Sequence, residues 1–189
     1  MDIGDEITES IERFNSRKKF PVLTERIIET IADDELEQAV MDCIDFKIDG
    51  NYEDSYEIIS LLSSGFRMVY STWYLEAEIN NGGFNQFFWN CGEFAEEALE
   101  GLRVLGTEEH ARLMQKAIEI FIEEEPRQRR FYIENSLEAF SESYKHTKLN
   151  ALDDEFYKLS ELSLRRIRYI REHMDQFTEN TALERLRAT

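Results

Sequence analysis

The sequence predicts an all-α protein, folded as a single compact domain of about eight or nine helices. The 189 residues include only 8 Gly and 2 Pro, so residues that break helices are scarce. Hydrophobic residues make up 42% of the chain, which is enough to build a core. Apolar side chains recur at intervals of three and four residues, and no alternating run is long enough to require a strand.

The first half of the chain shows five helical segments. Ile3, Ile7, Ile11 and Phe14 define the first by their spacing. The predicted helices cover residues 3–15, residues 25–32 with Thr24 as the N-cap, a segment capped by Asp33 or Asp34 and ending near Asp49-Gly50-Asn51, residues 55–62, and residues 66–79. The last of these is the most apolar segment and is therefore expected at the centre of the core.

The second half predicts further helical segments, separated by glycines and a proline. Gly106 ends one helix, Thr107 caps the next, and Pro126 begins another. The predicted helices cover residues 84–89, 93–105, 108–124, 127–145 and about 151–174. Residues 1–176 are taken as one domain, in which residues 1–50 are only loosely placed. Residues 177–189 are expected to be a frayed tail.

The net charge of −18 is unevenly distributed along the chain. Residues 1–60 hold 17 acidic and 6 basic side chains, residues 61–125 hold 12 and 4, and residues 126–189 hold 11 and 12. The first two thirds therefore carry all of the acidic excess. Solubility needs a net charge of only about 2–8, and a larger excess destabilises a compact state through self-repulsion. This predicts that the acidic surface serves binding.

The sequence also restricts the compartment. Cys43 and Cys91 are too few for a disulfide framework and are expected to be reduced thiols. The first residues lack the basic and apolar regions of a signal peptide, and no apolar run approaches the ~20 residues that cross a bilayer. These features predict a cytoplasmic protein that does not contact a membrane.

The most distinctive segment is NNGGFNQFFWN at residues 80–90, preceded by Glu78-Ile79. This segment, with the helix that follows it at residues 93–102, resembles the signature of a bacterial DNA-mimic protein family that is also described as a domain of unknown function. The resemblance extends over roughly residues 55–125. The residues that carry it are Asn80, Asn81, Gly82, Gly83, Phe84, Phe87, Phe88 and Trp89.

The resemblance implies an all-helical domain that is often dimeric. It also implies that an acidic surface can take the place of the DNA backbone and occupy the DNA-binding face of a transcription factor. The expected partner is therefore a basic, DNA-binding protein, and a homodimer is possible. One branch of the family carries that activity, so the resemblance supports the fold first and the function second.

Taken by themselves, the residues of this segment favour a structural role. Gly82 and Gly83 permit a positive φ where the chain turns, and Asn80, Asn81 or Asn85 can hydrogen-bond the exposed helix ends. The phenylalanines share one face, and Trp89 extends it. A helix–turn–helix corner packed into the core is the first interpretation. A small-ligand pocket lined by asparagines and aromatic rings, in a binder or an enzyme, is an alternative, and a dimer contact is another.

Three acidic clusters are candidate partner-binding surfaces. Glu93, Glu96, Glu97 and Glu100, which we call the acidic stripe, are spaced to share one helix face. At a rise of about 1.5 Å per residue the stripe is about 10.5 Å long, so its charges lie about as far apart as the phosphates of one DNA strand. The other two clusters are Asp33, Asp34 and Glu35 at a helix start, and Glu123, Glu124 and Glu125 at a predicted helix C-terminus. Solvated helix faces are the alternative interpretation of all three.

No catalytic constellation is recognisable, so we do not expect an enzyme. His110, His146 and His173 are expected at surfaces or helix ends, and no glutamate stands three residues before any of them, as a di-iron helical site requires. No metal or cofactor is expected, and acidity disfavours direct nucleic-acid binding. The arginines at 127, 129 and 130 and at 165, 166, 168 and 171 are expected to pair with acidic helices. A helical accessory domain of no catalytic role is the remaining alternative.

Overall fold

The computed structural model describes residues 8, 9, 12 and 15–178. The apolar positions of the helix predicted over residues 3–15 lie outside the described residues, as does the predicted tail from residue 179 onward. Every regular element of the described part is helical, which confirms the predicted all-α class. The α-helices are α1 (Glu25–Thr30), α2 (Asp33–Ile48), α3 (Ser55–Ser60), α4 (Ser64–Cys91), α5 (Ala95–Val104), α6 (Glu108–Glu134), α7 (Leu137–Ser143), α8 (Asn150–Phe156), α9 (Ser163–Glu172) and α10 (Asp175–Thr178). Short 3₁₀ turns cover Tyr52–Asp54, Gly92–Phe94 and Tyr144–His146.

Helix α4 forms the centre of the domain and packs against α2, α5, α8, α9 and α10. Its apolar residues, including Val69, Leu75 and Ile79, are completely buried. Burying a side chain of this size contributes about 1.5–3 kcal/mol relative to exposure. Helix α5 lies so close to α4 that a Cβ on Gly101 would come within 2.7 Å of Thr72 Cγ2. The prediction of a buried central helix over residues 66–79 is confirmed.

The start of α1 is as predicted, whereas the start of α2 is not. Thr24 Oγ1 accepts a hydrogen bond from the Ile27 N–H at 3.2 Å, as an N-cap does. Helix α2, however, has Ala32 at its N-cap, and Asp33 lies with Asp34 in the first turn. The carboxylates there interact with the helix dipole instead of capping the helix. The predicted end of α2 is confirmed, because Asp49 and Gly50 both have positive φ.

The prediction of two helices separated at Pro126 is wrong. Helix α6 runs from residue 108 to residue 134 with Pro126 inside it, and the break comes at Asn135, which is left-handed with a φ of 45°. A proline removes one hydrogen bond, here to the carbonyl of Ile122, and α6 persists because its flanking turns pack on both sides. Helix α7 then begins at Ser136, whose Oγ accepts a hydrogen bond from the Ala139 N–H at 3.0 Å. Thr107 occupies the N-cap position of α6, as predicted, but its side chain does not cap the helix, since its hydroxyl donates to the Leu102 carbonyl oxygen at 2.8 Å.

The helix predicted over residues 151–174 is divided into α8 and α9, and α10 follows them. The break follows from a tertiary contact, in which Glu76 Oε1 of α4 accepts a hydrogen bond from the Leu162 N–H at 2.8 Å. That carboxylate satisfies a backbone donor at the start of α9, where a helix has no partner of its own. Helical periodicity alone does not reveal such a cap.

A buried ion cluster joins α2, α4 and α9 around Arg166, which is 1% exposed. Its guanidinium pairs with Glu37 of α2 and with Glu76 of α4, the latter at 2.5 Å. It also donates to the Thr72 carbonyl oxygen at 3.1 Å, and Ser163 donates to Glu37 at 2.8 Å. The expected pairing of the C-terminal arginines with acidic helices is confirmed at this position.

None of the helices in the described ranges combines the length and the apolar character that crossing a membrane would need.

Candidate acidic binding surface and the signature corner

The acidic stripe lies at the start of α5, on the side opposite its core-facing residues. Glu96, Glu97 and Glu100 belong to α5, whereas Glu93 lies in the preceding 3₁₀ turn. The α-helical rise assumed for the whole stripe is therefore correct for three of its four residues. The core-facing residues between and just after them are Phe94, Ala95, Ala98, Leu99 and Leu102. Burial of that face fixes the glutamates on the outside.

The stripe is poorly neutralised by the protein itself. Within the described part of the chain, no lysine or arginine lies within 4 Å of Glu93, Glu96 or Glu97. Glu100 lies 3.7 Å from Arg103, and both side chains are more than half exposed, so that pair contributes little. The local field is thus left available to an external cation.

Helix α3 extends the acidic surface. Tyr56 donates a hydrogen bond to Glu97 Oε1 at 3.4 Å and packs its ring 5.3 Å from that of Phe94. The negative charge of Glu97 raises the pKa of Tyr56, and the charges of Glu57 and Glu93 raise it further. Tyr56 and Glu57 therefore belong to the same surface. Sequence periodicity does not detect this, because the contact spans 41 positions.

The cluster at the start of α2 is partly neutralised. Asp33 Oδ1 lies 2.6 Å from Arg171 Nη2, as the expected pairing of arginine with acidic helices predicts. Asp34 and Glu35 are exposed. No ion pair involves either of them among the residues described here. This cluster therefore keeps two of its three predicted carboxylates available.

The Glu123–Glu125 cluster differs most from its prediction. It lies in the middle of α6, not at a helix C-terminus. Glu124 is only 2% exposed, and its oxygens accept hydrogen bonds from Thr147 Oγ1 at 2.7 Å and from the Lys148 N–H at 3.0 Å. Glu124 therefore anchors the segment before α8 and does not face a partner.

The two neighbours of Glu124 each have a cation nearby. Lys148 pairs with Glu123 at 2.9 Å, and Arg129 lies 3.9 Å from Glu125. Arg127 lies 3.9 Å from Glu124 itself. The pairing expected for Arg127 and Arg129 is thus present, and it leaves little net negative charge at this position.

The signature segment forms a kink within α4, where the sequence predicted a stop. Gly82 and Gly83 have non-helical backbone angles, and helix continues on both sides of them up to Cys91. Gly83 has a φ of 77° and a ψ of −178°, which essentially only glycine adopts. The prediction of a positive φ in this pair is confirmed at Gly83.

The backbone groups freed by the kink are satisfied from α8 and its neighbours. The Phe84 N–H donates to Asp153 Oδ1 at 2.9 Å, and the Tyr144 hydroxyl donates to the Gly82 carbonyl oxygen at 2.6 Å. The Tyr157 hydroxyl donates to the Ile79 carbonyl oxygen at 2.9 Å. Burial raises the pKa of Asp153, while its hydrogen bond from Phe84 opposes that rise.

The asparagines of the signature have other roles than the capping predicted for them. Asn80 and Asn81 are exposed, whereas Asn85 is buried and donates to Ser143 Oγ at 2.9 Å. The kink is therefore held by Asp153, by tyrosines and by packing. Asp153 lies 69 positions from Phe84, which is why sequence inspection missed it.

The aromatic residues of the signature pack inside the domain. Phe84, Phe87 and Phe88 are buried. Phe88 stacks on Phe121 with ring centroids 4.3 Å apart, and Trp89 lies 4.9 Å from Tyr132. These contacts favour the interpretation of a corner packed into the core.

Two further predictions concern histidine and cysteine. His110 lies in the first turn of α6, at a helix end as predicted, but it is buried, with 5% exposure. Burial lowers its pKa. Cys43 and Cys91 are both buried thiols, as predicted, and burial raises the pKa of Cys91 to about 12.

These observations define a class of protein: an acidic helical domain with a kinked central helix and a poorly neutralised carboxylate stripe beside it. The chain belongs to the DMP19-like protein family, whose model matches residues 60–173. That range contains the kink, the acidic stripe and the Arg166–Glu76 ion pair. Neither the curated proteins nor the solved structures contain a match to the chain.

Proposed function

We propose that this protein is an acidic interaction module that acts as a DNA mimic and occupies the DNA-binding face of a basic partner. Membership of the DMP19-like family supports the class of function. The observation that carries the proposal is the acidic stripe, in which Glu93, Glu96 and Glu97 have no cation of their own within the described residues. The partner is a DNA-binding protein such as a transcription factor.

The spacing of the stripe supports this role. Along α5 the axial rise is about 1.5 Å per residue, so the carboxylates from Glu96 to Glu100 lie within about 6 Å along the helix axis. One strand of B-DNA places a phosphate about every 3.4 Å along its axis. A protein surface that presents lysines and arginines to phosphates can therefore meet carboxylates at a similar density. Asp34 and Glu35 are further candidates for this surface, and Glu124 is not, because it is buried.

Capture from lysate with duplex-DNA elution tests the proposal. The immobilised wild-type protein should retain a DNA-binding protein at low salt and release it at high salt, because screening weakens interactions between exposed charges. Duplex DNA added at constant ionic strength should also release it. The variant Glu93→Gln, Glu96→Gln, Glu97→Gln and Glu100→Gln should retain at least about tenfold less, since it removes the complementary charges.

A matched variant separates the stripe from net charge. Glu29, Glu138, Glu161 and Glu172 are exposed, and in the described structure none of them takes part in an ion pair. Replacing these four with Gln changes the net charge by the same amount and should leave capture unchanged. An equal loss of captured partner in both variants would mean that the net charge of the protein, and not the acidic stripe, determines capture. Retention of a partner that duplex DNA cannot release would refute mimicry.

The family resemblance also leads us to propose a homodimer. A dimer would place two stripes on one particle, which increases avidity for a partner with two basic faces. Sedimentation equilibrium measures the mass directly, and a monomer at all concentrations would contradict this part of the proposal.

A further inference from the structure

A basic pocket lies at the far end of α6 in this otherwise acidic protein. Its volume is about 340 Å³, and its lining side chains are Arg127, Arg130 and His146. Arg127 is 19 residues beyond the start of α6, which is about 28 Å along a helix of standard rise. The pocket is thus distant in the fold from the turn that joins α6 to α5 and the acidic stripe.

The fold brings the three basic side chains together, two of them against one buried ring. Arg127 and Arg130 are three residues apart and therefore share a face of α6. The Arg130 guanidinium lies 4.5 Å from the ring centroid of Phe131, and the His146 imidazole stacks on the same ring at 5.6 Å with an interplanar angle of 19°. Phe131 is only 6% exposed, so it is a fixed support for both side chains.

The positive charge of this pocket is incompletely used inside the protein. Arg127 approaches Glu124 only at 3.9 Å, and Glu124 already accepts hydrogen bonds from Thr147 and from the Lys148 N–H. Arg130 has no carboxylate within 4 Å anywhere in the described ranges.

The third basic side chain of the pocket, His146, is more closely paired. His146 lies 3.2 Å from Glu142, and that carboxylate also pairs with Lys145 at 2.6 Å. The Glu142 carboxylate is therefore shared between the side chains of Lys145 and His146. The two guanidiniums consequently provide most of the pocket's unused positive charge.

We propose that this pocket binds a phosphate group, carried either by inorganic phosphate or by a small phosphomonoester. Guanidinium groups present forked N–H donors that match phosphate oxygens, and the resulting hydrogen bonds are among the stronger ones in proteins. Two guanidiniums and an imidazole on one concavity suit an anion with three terminal oxygens. This site is independent of the acidic stripe and of the function proposed for it.

Titrations followed by ¹H–¹⁵N correlation spectra test the proposal. The full-length protein is titrated separately with inorganic phosphate, adenosine monophosphate, adenosine, and sodium chloride at matched ionic strength. Phosphate and the monophosphate should give saturable shifts at the backbone amides of Arg127, Arg130 and His146, and adenosine should give none. Saturation by the monophosphate alone would assign the site to small phosphomonoesters. Saturation by both would show that the site also binds free phosphate.

Variants localise the binding. Arg127→Gln with Arg130→Gln should weaken it about tenfold or more, and the dispersion of the same spectra reports whether the variant is folded. Arg129→Gln is the matched control, because Arg129 lies outside the pocket lining and pairs with Glu125. Shifts that sodium chloride reproduces, or that persist unchanged in the double variant, would overturn the proposal.

Discussion

Replacing Gly83 with alanine should destabilise the domain through two separate effects. The backbone angles at this position, φ 77° and ψ −178°, are unfavourable for any residue with a Cβ and cost about 1–3 kcal/mol. The added Cβ would also lie 2.3 Å from Asp153 Oδ2, so the Asp153 carboxylate must move. Its hydrogen bond to the Phe84 N–H is then lost, and an unsatisfied buried donor costs about 1–3 kcal/mol. The expected loss is about 2–6 kcal/mol of the free energy of unfolding.

Urea denaturation followed by circular dichroism measures this loss, with Gly106→Ala as the control. Gly106 also has a positive φ, 66°, but a Cβ there meets nothing within 4 Å. Gly106→Ala should therefore cost only the backbone strain, about 1–2 kcal/mol. In an Asp153→Ala background the cost of Gly83→Ala should fall, because the obstructing carboxylate is gone. Equal costs for the two glycine replacements, with no coupling to Asp153, would refute the reasoning.

Three further predictions concern buried polar groups. Arg166→Ala should cost about 3–5 kcal/mol of unfolding free energy, because two carboxylates lose their buried partner. Exposed Arg165→Ala should change it by less than about 0.5 kcal/mol, and equal losses of unfolding free energy for the two variants in urea melts would contradict this. Glu124→Ala should cost about 1–3 kcal/mol of unfolding free energy, since Thr147 and the Lys148 N–H lose their acceptor. Exposed Glu123→Ala should have no measurable effect, and thermal melts of the two variants at one pH compare them. His110 has a lowered pKa in the folded state, so the unfolded state binds more protons as pH falls below about 6.5, and stability should decrease there. His110→Gln should show a smaller decrease between about pH 7.5 and pH 5.5, and an identical pH profile would exclude His110 as a source.

The sequence predicts the α-class and most core positions, because helical periodicity is a local signal that burial reinforces. Apolar residues at this spacing in α2 and α5, for example Leu36 and Leu102, are fully buried. Predictions failed where a tertiary contact determines the outcome. Glu76 caps α9 from another helix, and Pro126 is accommodated inside α6.

The candidate site was predictable to a similar degree. The spacing of Glu93 to Glu100 correctly indicates one surface beside an apolar face, on which Glu97 alone of the four is half-buried and the others are exposed. The spacing does not distinguish carboxylates that the protein neutralises from those it leaves free. Glu124 is buried and Glu93 is not, although both lie in acidic runs, because Thr147 and Lys148 are brought to Glu124 only by folding.

The central claim is that a partner binds this protein and DNA at the same face. The most direct measurement uses the captured partner after purification, bound to a fluorescently labelled duplex, with fluorescence anisotropy as the readout. Adding the wild-type protein should release the duplex completely, and the Gln variant of Glu93, Glu96, Glu97 and Glu100 should release it only at concentrations at least about tenfold higher. If the wild-type protein binds the partner while the duplex stays bound, the two ligands occupy different faces and the account is contradicted.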